Sequence, residues 1–338
     1  MLKTPGAHMS SSLPDRILGC FIGGIVGDSF GAAYEFKDRD SYKVGSDMGT
    51  TVFGMPPGSF TDDSSMMLCL AASLIETGTF APHDQMDRYA RWRRDGYMSS
   101  DEKRGCFDIG KTTSKAISRF VYEREQWERN GEKAEYREYY GLTGEYDSGN
   151  GGIMRLSPVP IFYFGDIEEA GRFSELSSKV THASQECLEA ANVMGQIVVS
   201  LLQGRSKSES VLNLPASLAA GMPCKKIIYI CNATYLDKSR AQIATSGYVI
   251  DTLEAALWAF MRTETFEDGM MLLAAMGGDV DTVCAVYGQI AGAHYGYEAI
   301  PKRWANALQR IDLIAKTAMG LTDAALRRNA AAYPLNSS

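Results

Sequence analysis

The residues best suited to chemistry fall in two short clusters, Thr61-Asp62-Asp63-Ser64 and, late in the chain, Gly277-Gly278-Asp279-Val280-Asp281-Thr282. Each pairs carboxylates with a threonine hydroxyl, an oxygen donor set that suits hard divalent cations such as magnesium or manganese. Each also stands where a helix is predicted to begin, so helix capping is the plainer use. Threonine and aspartate are good N-caps, and a carboxylate there stabilises by roughly 0.3–1 kcal/mol. As a pair, the clusters suggest more. Two converging helix N-termini would offer the four carboxylates of Asp62, Asp63, Asp279 and Asp281 and the hydroxyls of Thr61 and Thr282. Four carboxylates around one pocket repel one another and shift their pKa values. Divalent cations relieve that repulsion, and a two-metal centre can orient a water or polarise a departing oxygen or nitrogen.

Other signals are weaker singly. Asp279-Val280-Asp281-Thr282-Val283 also fits the nucleophile string of haloacid-dehalogenase-type phosphatases. That string should follow a buried strand early in an α/β domain, whereas here it follows Leu272–Met276 and a glycine pair late in a helical chain. Ser148-Gly149-Asn150-Gly151-Gly152-Ile153-Met154-Arg155 reads either as a turn or as a backbone nest for an anion. No Gly-Lys-Ser/Thr follows it, so it is not a Walker loop. Among the four histidines only His182 sits where a loop meets a helix start. No G-x-S-x-G elbow is present, which weakens a serine hydrolase.

These residues need elements to position them. Leu13 to Glu35 is predicted to be a helix, capped by Ser12 with Pro14 in its first turn. Gly19, Gly23, Gly24, Gly27 and Gly31 run through it. Each costs up to about 1 kcal/mol relative to alanine, so the helix is expected to pack closely on another backbone. Lys37–Phe60 is a long loop leading into the first acidic cluster, a length usually kept for function. Asp62–Glu76 is then a helix ending at Gly78. Helices are also predicted over His83–Asp95, Thr112–Arg129, Glu168–Lys179, Ser184–Leu202, Ser208–Ala220, Tyr248–Met261, Phe266–Ala275, Asp281–Tyr295 and Lys302–Ala318, with Glu123–Tyr140 a solvated helix end and loop. Ile161–Phe164 and Ile227–Ile230 are the only short strand candidates, so the expected fold is all-α, in one domain over residues 13–335. No fixed-period repeat suggests a solenoid.

The chain of 338 residues is 45% hydrophobic, enough for a sizeable core. Its net charge of −7 argues against nucleic acid as a partner, so an anionic substrate would be held by backbone donors or a metal. Seven cysteines without a C-x-x-C pair read as reduced, mostly buried thiols of a cytoplasmic protein and not as structural zinc ligands. Residues 1–12 are expected to be a flexible N-terminus or a tag remnant, with no signal peptide, and no apolar run is long enough to span a bilayer.

The motifs taken in order resemble the ADP-ribosylglycohydrolase family, from about Leu13 to Trp304. They are Gly27-Asp28 with Glu35, Thr61-Asp62-Asp63, Gly149-Asn150-Gly151 with Met154-Arg155, Thr181-His182, and Gly278-Asp279-x-Asp281-Thr282 followed by Gly288 and Gly292-Ala293. The resemblance implies an all-helical hydrolase cleaving the bond between C1″ of ADP-ribose and an acceptor, with two magnesium or manganese ions. By motif, Thr61, Asp62 and Asp63 would hold one ion, Asp279 and Thr282 the other, with Asp281 bridging and Glu35 on a mobile loop beside them. Gly149, Asn150, Gly151, Gly152 and Met154 would bind the diphosphate and ribose, and His182 would flank the substrate. Two segments look like the arginine-directed bacterial branch. Cys106-Phe107-Asp108-Ile109-Gly110-Lys111-Thr112-Thr113 resembles its Asp-Ile-Gly-Asn-Thr-Thr stretch, with Lys111 where asparagine is usual. There Asp108 and Gly110 would meet the substrate, Asp108 pairing with an arginine guanidinium. Gly247-Tyr248-Val249 resembles the segment whose tyrosine stacks on adenine. The implied substrate is an ADP-ribosylated protein. Serine-linked or small-molecule conjugates, and a non-catalytic ADP-ribose-binding or toxin-neutralising protein, are the alternatives.

Overall fold

Helix α1 (Leu13–Gly31) is buried at every residue from Gly19 to Gly31, and the reason lies in its glycines. The structure, a computed structural model, describes residues 11–130, 137–144, 146–214 and 223–332. In chain order α1 is followed by α2 (Asp62–Thr77), α3 (Pro82–Asp95), α4 (Lys111–Asn130), α5 (Pro158–Phe162), α6 (Ile167–Lys179), α7 (Gln185–Leu202), α8 (Lys207–Val211), α9 (Lys225–Cys231), α10 (Val249–Arg262), α11 (Phe266–Ala274), α12 (Val280–Tyr295), α13 (Lys302–Ala305) and α14 (Ile311–Ala332). Among the described residues there is no strand, only two isolated bridges, Leu142 with His182 and Gly149 with Tyr248. The fold is a single all-helical domain.

The predicted close packing of α1 is against α12. A Cβ on Gly27 would lie 2.0 Å from the Cys284 carbonyl oxygen, one on Gly288 2.0 Å from that of Gly23, and one on Gly292 1.9 Å from that of Gly19. The two backbones therefore touch wherever glycines meet. The last contact is the one that reaches the chemistry: a Cβ on Gly31 would lie 2.4 Å from the Cα of Asp281. Overpacking of this kind costs about 1–3 kcal/mol, and more where backbone must move. Gly27→Ala is expected to destabilise by at least about 2 kcal/mol, read as a lower midpoint in chemical denaturation. Unchanged stability would mean the helices can separate without loss.

One large core joins α1, α12, α7 and α10, with Phe21, Ile25, Met194, Ile197, Leu253 and Ile290 buried in it. A second, smaller cluster joins α2, α3 and α4 through Met66, Cys69, Met86, Trp92, Ile117 and Phe120. The cysteines are all free thiols. No helix among the described residues is long and apolar enough to cross a membrane.

Several expectations are corrected. The first helix ends at Gly31, not Glu35, because the chain turns there and runs beside Gly278: Phe36 donates its N–H to the Gly278 carbonyl at 2.7 Å and Gly278 donates to that of Lys37 at 3.0 Å. Lys302–Ala318 is two helices, α13 and α14, broken where Arg310 takes φ +57° and Gln309 donates to the Gly58 carbonyl; α14 then continues to Ala332. Ile227–Ile230 lies in helix α9, since Ile227, Ile230 and Cys231 are buried at helical spacing while Tyr229 is exposed. Ile161–Phe164 falls on α5 and the turn after it, where Pro158 and Pro160 remove the donors a ladder would need. The predicted helix over Ser208–Ala220 is the short α8, and residues 215–220 lie outside the described residues. So do residues 1–10, with most of the expected flexible or tag segment, residues 131–136 and residues 333–335 at the end of the expected domain.

Candidate active site

The N-termini of α2 and α12 meet at a cavity of about 710 Å³ lined by six acids, Glu35, Asp62, Asp63, Asp108, Asp279 and Asp281. The Thr282 hydroxyl donates to Asp63 Oδ1 at 3.4 Å, linking the two clusters directly. Capping explains little of this. Thr61 does cap α2, accepting the Asp63 N–H at 3.4 Å, but Asp279 makes no capping bond at the start of α12. Its Oδ2 instead accepts a 2.6 Å bond from Asn150 Nδ2. The phosphatase context is absent too, since helix α11 and not a strand precedes Asp279.

Asp28 holds the first cluster in place. It projects from α1, fully buried, and its carboxylate accepts the N–H groups of Thr61 and Ser64 at 3.0 Å and their hydroxyls at 3.0 and 2.5 Å. A carboxylate from one helix thus satisfies the free amides of another. Burial pushes the Asp28 carboxyl up to about 6 even though these hydrogen bonds pull it down. The motif Gly27-Asp28 pointed to this residue without a role; a lone acid in a glycine-rich apolar helix was the available signal.

The glycines of the loop serve close packing. Asn150–Gly152 is one 3-10 turn, and the N–H of Asn150 is spent on the Gly247 carbonyl. A Cβ on Gly151 would lie 2.5 Å from His182 Cε1, and one on Gly152 2.2 Å from Ser178 Oγ. The glycines let the loop lie against His182 and α6. Gln289 on α12 fixes the loop's far end, accepting the Ser157 N–H at 2.7 Å and donating to the Met154 carbonyl at 2.6 Å.

His182 is wired from behind. Buried Arg155 donates to Thr181 Oγ1 at 2.6 Å, and Thr181 Oγ1 lies 2.8 Å from His182 Nδ1. The Thr181 hydroxyl can in turn donate to Nδ1, and in that tautomer the ring proton is on Nε2, on the side of Gly149 and Gly151. Burial, helped by Arg155, holds this imidazole down at about 3, so it is neutral.

Gly110, Gly149, Asn150, Gly151, Met154, His182, Asp279, Asp281, Thr282 and Lys111 line the cavity with the acids. Thr61 and Gly152 are not among the lining residues. Tyr248 borders a smaller cavity of about 300 Å³, facing Tyr146, which shares Gly149 and Gly247 with the main one. Lys226 Nζ donates to the Tyr248 hydroxyl at 2.6 Å.

Burial raises the pKa values of all six acids, and in Glu35, Asp62, Asp63, Asp108 and Asp281 neighbouring carboxylates raise them further. Desolvation, then Asp108, pushes Glu35 up to about 9. Desolvation, then Asp28 and Asp279, pushes Asp108 up to about 7. Asp62, Asp63 and Asp281 are raised well above the ordinary carboxylate range, first by desolvation and then by neighbouring carboxylates. Glu35 Oε2, Asp63 Oδ2 and Asp281 Oδ1 are buried with no hydrogen-bond partner, which is costly for a carboxylate. Ligand oxygens of Glu35, Asp108 and Asp281 lie within 4.8 Å of one another. An all-oxygen, net negative donor set with orphaned atoms fits hard divalent cations.

A pH prediction follows with its sign. Carboxyls with raised folded pKa values bind more protons folded than unfolded, so the contribution of these acids to the stability of the metal-free protein is full below about pH 4 and is lost as pH climbs towards the value of about 9 at Glu35. A cation takes the place of those protons. The rise in Tm on adding magnesium or manganese is therefore expected to be larger near pH 8.5 than near pH 5.5. An equal or opposite trend would mean the acids do not bind the ion.

Comparison with known proteins gives the family. The family model for ADP-ribosylglycohydrolase matches residues 9–332, and the chain belongs to the ADP-ribosylglycohydrolase family: it is an enzyme that hydrolyses ADP-ribosyl linkages. ADP-ribosylarginine hydrolase Tri1 of Serratia proteamaculans is 35% identical over 323 residues, covering 94% of this chain and 82% of the relative. ADP-ribosyl-[dinitrogen reductase] glycohydrolase of Rhodospirillum rubrum is 28% identical, covering 88% of this chain and 91% of the relative. A solved structure described as an ADP-ribosylglycohydrolase-related protein complex superposes with a TM-score of 0.76 at 34% identity, over 93% of this chain and 99% of that one.

Proposed function

We propose that the protein hydrolyses the N-glycosidic bond between C1″ of ADP-ribose and an arginine side chain on an ADP-ribosylated protein, using two magnesium or manganese ions. The observation that carries this reading is the convergence of six acids on one cavity, with three buried carboxylate oxygens lacking any partner. The named specificity of the 35%-identical Serratia relative supports arginine as the acceptor.

Asp62, Asp63, Asp279 and Asp281, with the Thr61 and Thr282 hydroxyls, would hold the cations. Bound there, divalent ions polarise ribose hydroxyls and make water a better nucleophile. Glu35, beside Asp281 and Asp108, moves the proton between water and the leaving group. Asp108 accepts a bidentate pair from the guanidinium. His182 donates from Nε2, the Gly149–Gly151 turn bounds the ribose and diphosphate, and Tyr248 lies against the adenine. Lys111 is the one Lys or Arg lining the cavity among the described residues, and adds positive charge for the diphosphate.

The test is release of ADP-ribose from an arginine-modified protein and a serine-modified peptide, each with magnesium, manganese or chelator. Metal-dependent release from arginine is expected. Release from serine alone would keep the site and overturn the acceptor. Tight binding of ADP-ribose with no release from either would make this a binding protein.

A further inference from the structure

Phe36, Phe53 and Phe107 form an aromatic run beside the acids. Phe36 lines the cavity and is 69% exposed, although it directly follows buried Glu35. Its ring meets that of Phe53 edge-on, centroids 6.5 Å apart, and Phe53 meets Phe107 at 5.8 Å. Phe107 in turn directly precedes Asp108. The run therefore spans from one cavity acid to another. Phe36 is also held in the left-handed region at φ +58°, a conformation a bulky side chain rarely adopts. Its N–H bond to the Gly278 carbonyl fixes it there. Such strain persists only where surroundings enforce it, and it clusters at functional sites.

An exposed aromatic face beside half-buried and buried carboxylates suits one kind of group: a flat cation with an apolar stem. Carboxylates attract the charge, and a ring face within about 6 Å adds cation–π attraction of roughly 0.5–2 kcal/mol. Guanidinium, being planar and weakly hydrated, stacks on rings better than ammonium does. A serine oxygen offers neither charge nor plane.

We propose that Phe36, with Phe53 and Phe107 behind it, is the acceptor ledge of this enzyme: its ring packs on the guanidinium and methylene stem of the modified arginine and selects arginine over uncharged acceptors. This rests on the arginine reading above, and the ledge residues are positioning residues for the acceptor half alone. ADP-ribose, which lacks the acceptor, does not touch them.

The experiment compares wild type, Phe36→Leu and Phe36→Tyr. Leucine keeps apolar bulk but removes the ring face; tyrosine keeps the face. With ADP-ribosyl-arginine, Phe36→Leu is expected to raise KM about three- to ten-fold with a smaller change in kcat, and Phe36→Tyr to restore it. The Kd for ADP-ribose should stay within about two-fold in both. Equal KM values in wild type and Phe36→Leu, or an equal loss of ADP-ribose affinity, would overturn the ledge. Binding of methylguanidine to the ADP-ribose-loaded protein, followed by NMR titration, separates the two readings. If wild type fails to hydrolyse the arginine conjugate yet binds methylguanidine and Phe36→Leu does not, the arginine-hydrolase reading fails and the ledge stands. No methylguanidine binding to wild type would overturn the ledge itself.

Discussion

Asp281→Ala is expected to lower turnover of ADP-ribosyl-arginine by at least about a thousand-fold while making the metal-free protein more stable. Asp281 opens α12, is 2% exposed, and has Oδ1 buried without a partner. The groups that raise its pKa after desolvation does are all acids: Asp279, Glu35, Asp63 and Asp108. Removing it therefore relieves repulsion in the empty site. It also removes a carboxylate proposed to hold the cations, so both loss of activity and loss of the metal-induced rise in Tm are expected together. Asp62→Ala should behave alike, because Asp62 is raised by the same causes. Stopped-flow or steady-state kcat with saturating metal, and melting with and without chelator, are the measurements. A wild-type rate in either variant would remove the metal assignment.

Asp28→Ala is expected to do the opposite to stability, costing about 3–5 kcal/mol. Asp28 is as buried as Asp281 but is fully engaged, with two N–H groups and two hydroxyls donating to it. Its loss strands four donors at the start of α2 and frees the segment carrying Asp62 and Asp63. Asp28→Asn keeps the shape yet turns an amide NH₂ towards donors, so an intermediate loss is expected. Urea denaturation measures both. A change below about 1 kcal/mol in Asp28→Ala would mean that water replaces the carboxylate at no loss, and that α2 is anchored elsewhere. Two neighbouring buried aspartates would thus shift stability in opposite directions, which burial alone does not predict.

The fold was largely legible because helices repeat their signals. Caps such as Ser12 and Ser184, stops such as Gly78, and long apolar periodicity mark most ends to within a residue or two. The glycine spacing in α1 foretold a close backbone partner, though not that the partner was α12. What local sequence could not show depended on contacts made at long range. The break between α13 and α14 exists because Gln309 meets Gly58. Helix α9 looked like a strand because Ile227, Ile228 and Ile230 are β-branched, and burial of one side settled the matter. In the site, the acids and the glycine turn stood out by composition. The supports carried no role there: Asp28 and the Arg155–Thr181 pair stood in the motifs, Gln289 in none, and the work of each is defined by partners away in the chain.

The glycine contact between α1 and α12 also bears on how the protein comes to be. Its two partners stand near opposite ends of the sequence, Gly19–Gly31 and Asp281–Gly292. Joining them closes a very long loop, and pairings of that span form late and slow folding. Helix α1 leaves the ribosome well before α12, largely apolar and weakened by its own glycines, and must wait until α12 is made before its glycine face has a partner. Until then Asp28 has only the start of α2 beside it, and Asp281 has no site to complete. A ribosome-stalled chain ending before Val280 is therefore expected to hold α1 in a protease-sensitive, chaperone-bound form, and catalytic competence arrives only after α12 has been made.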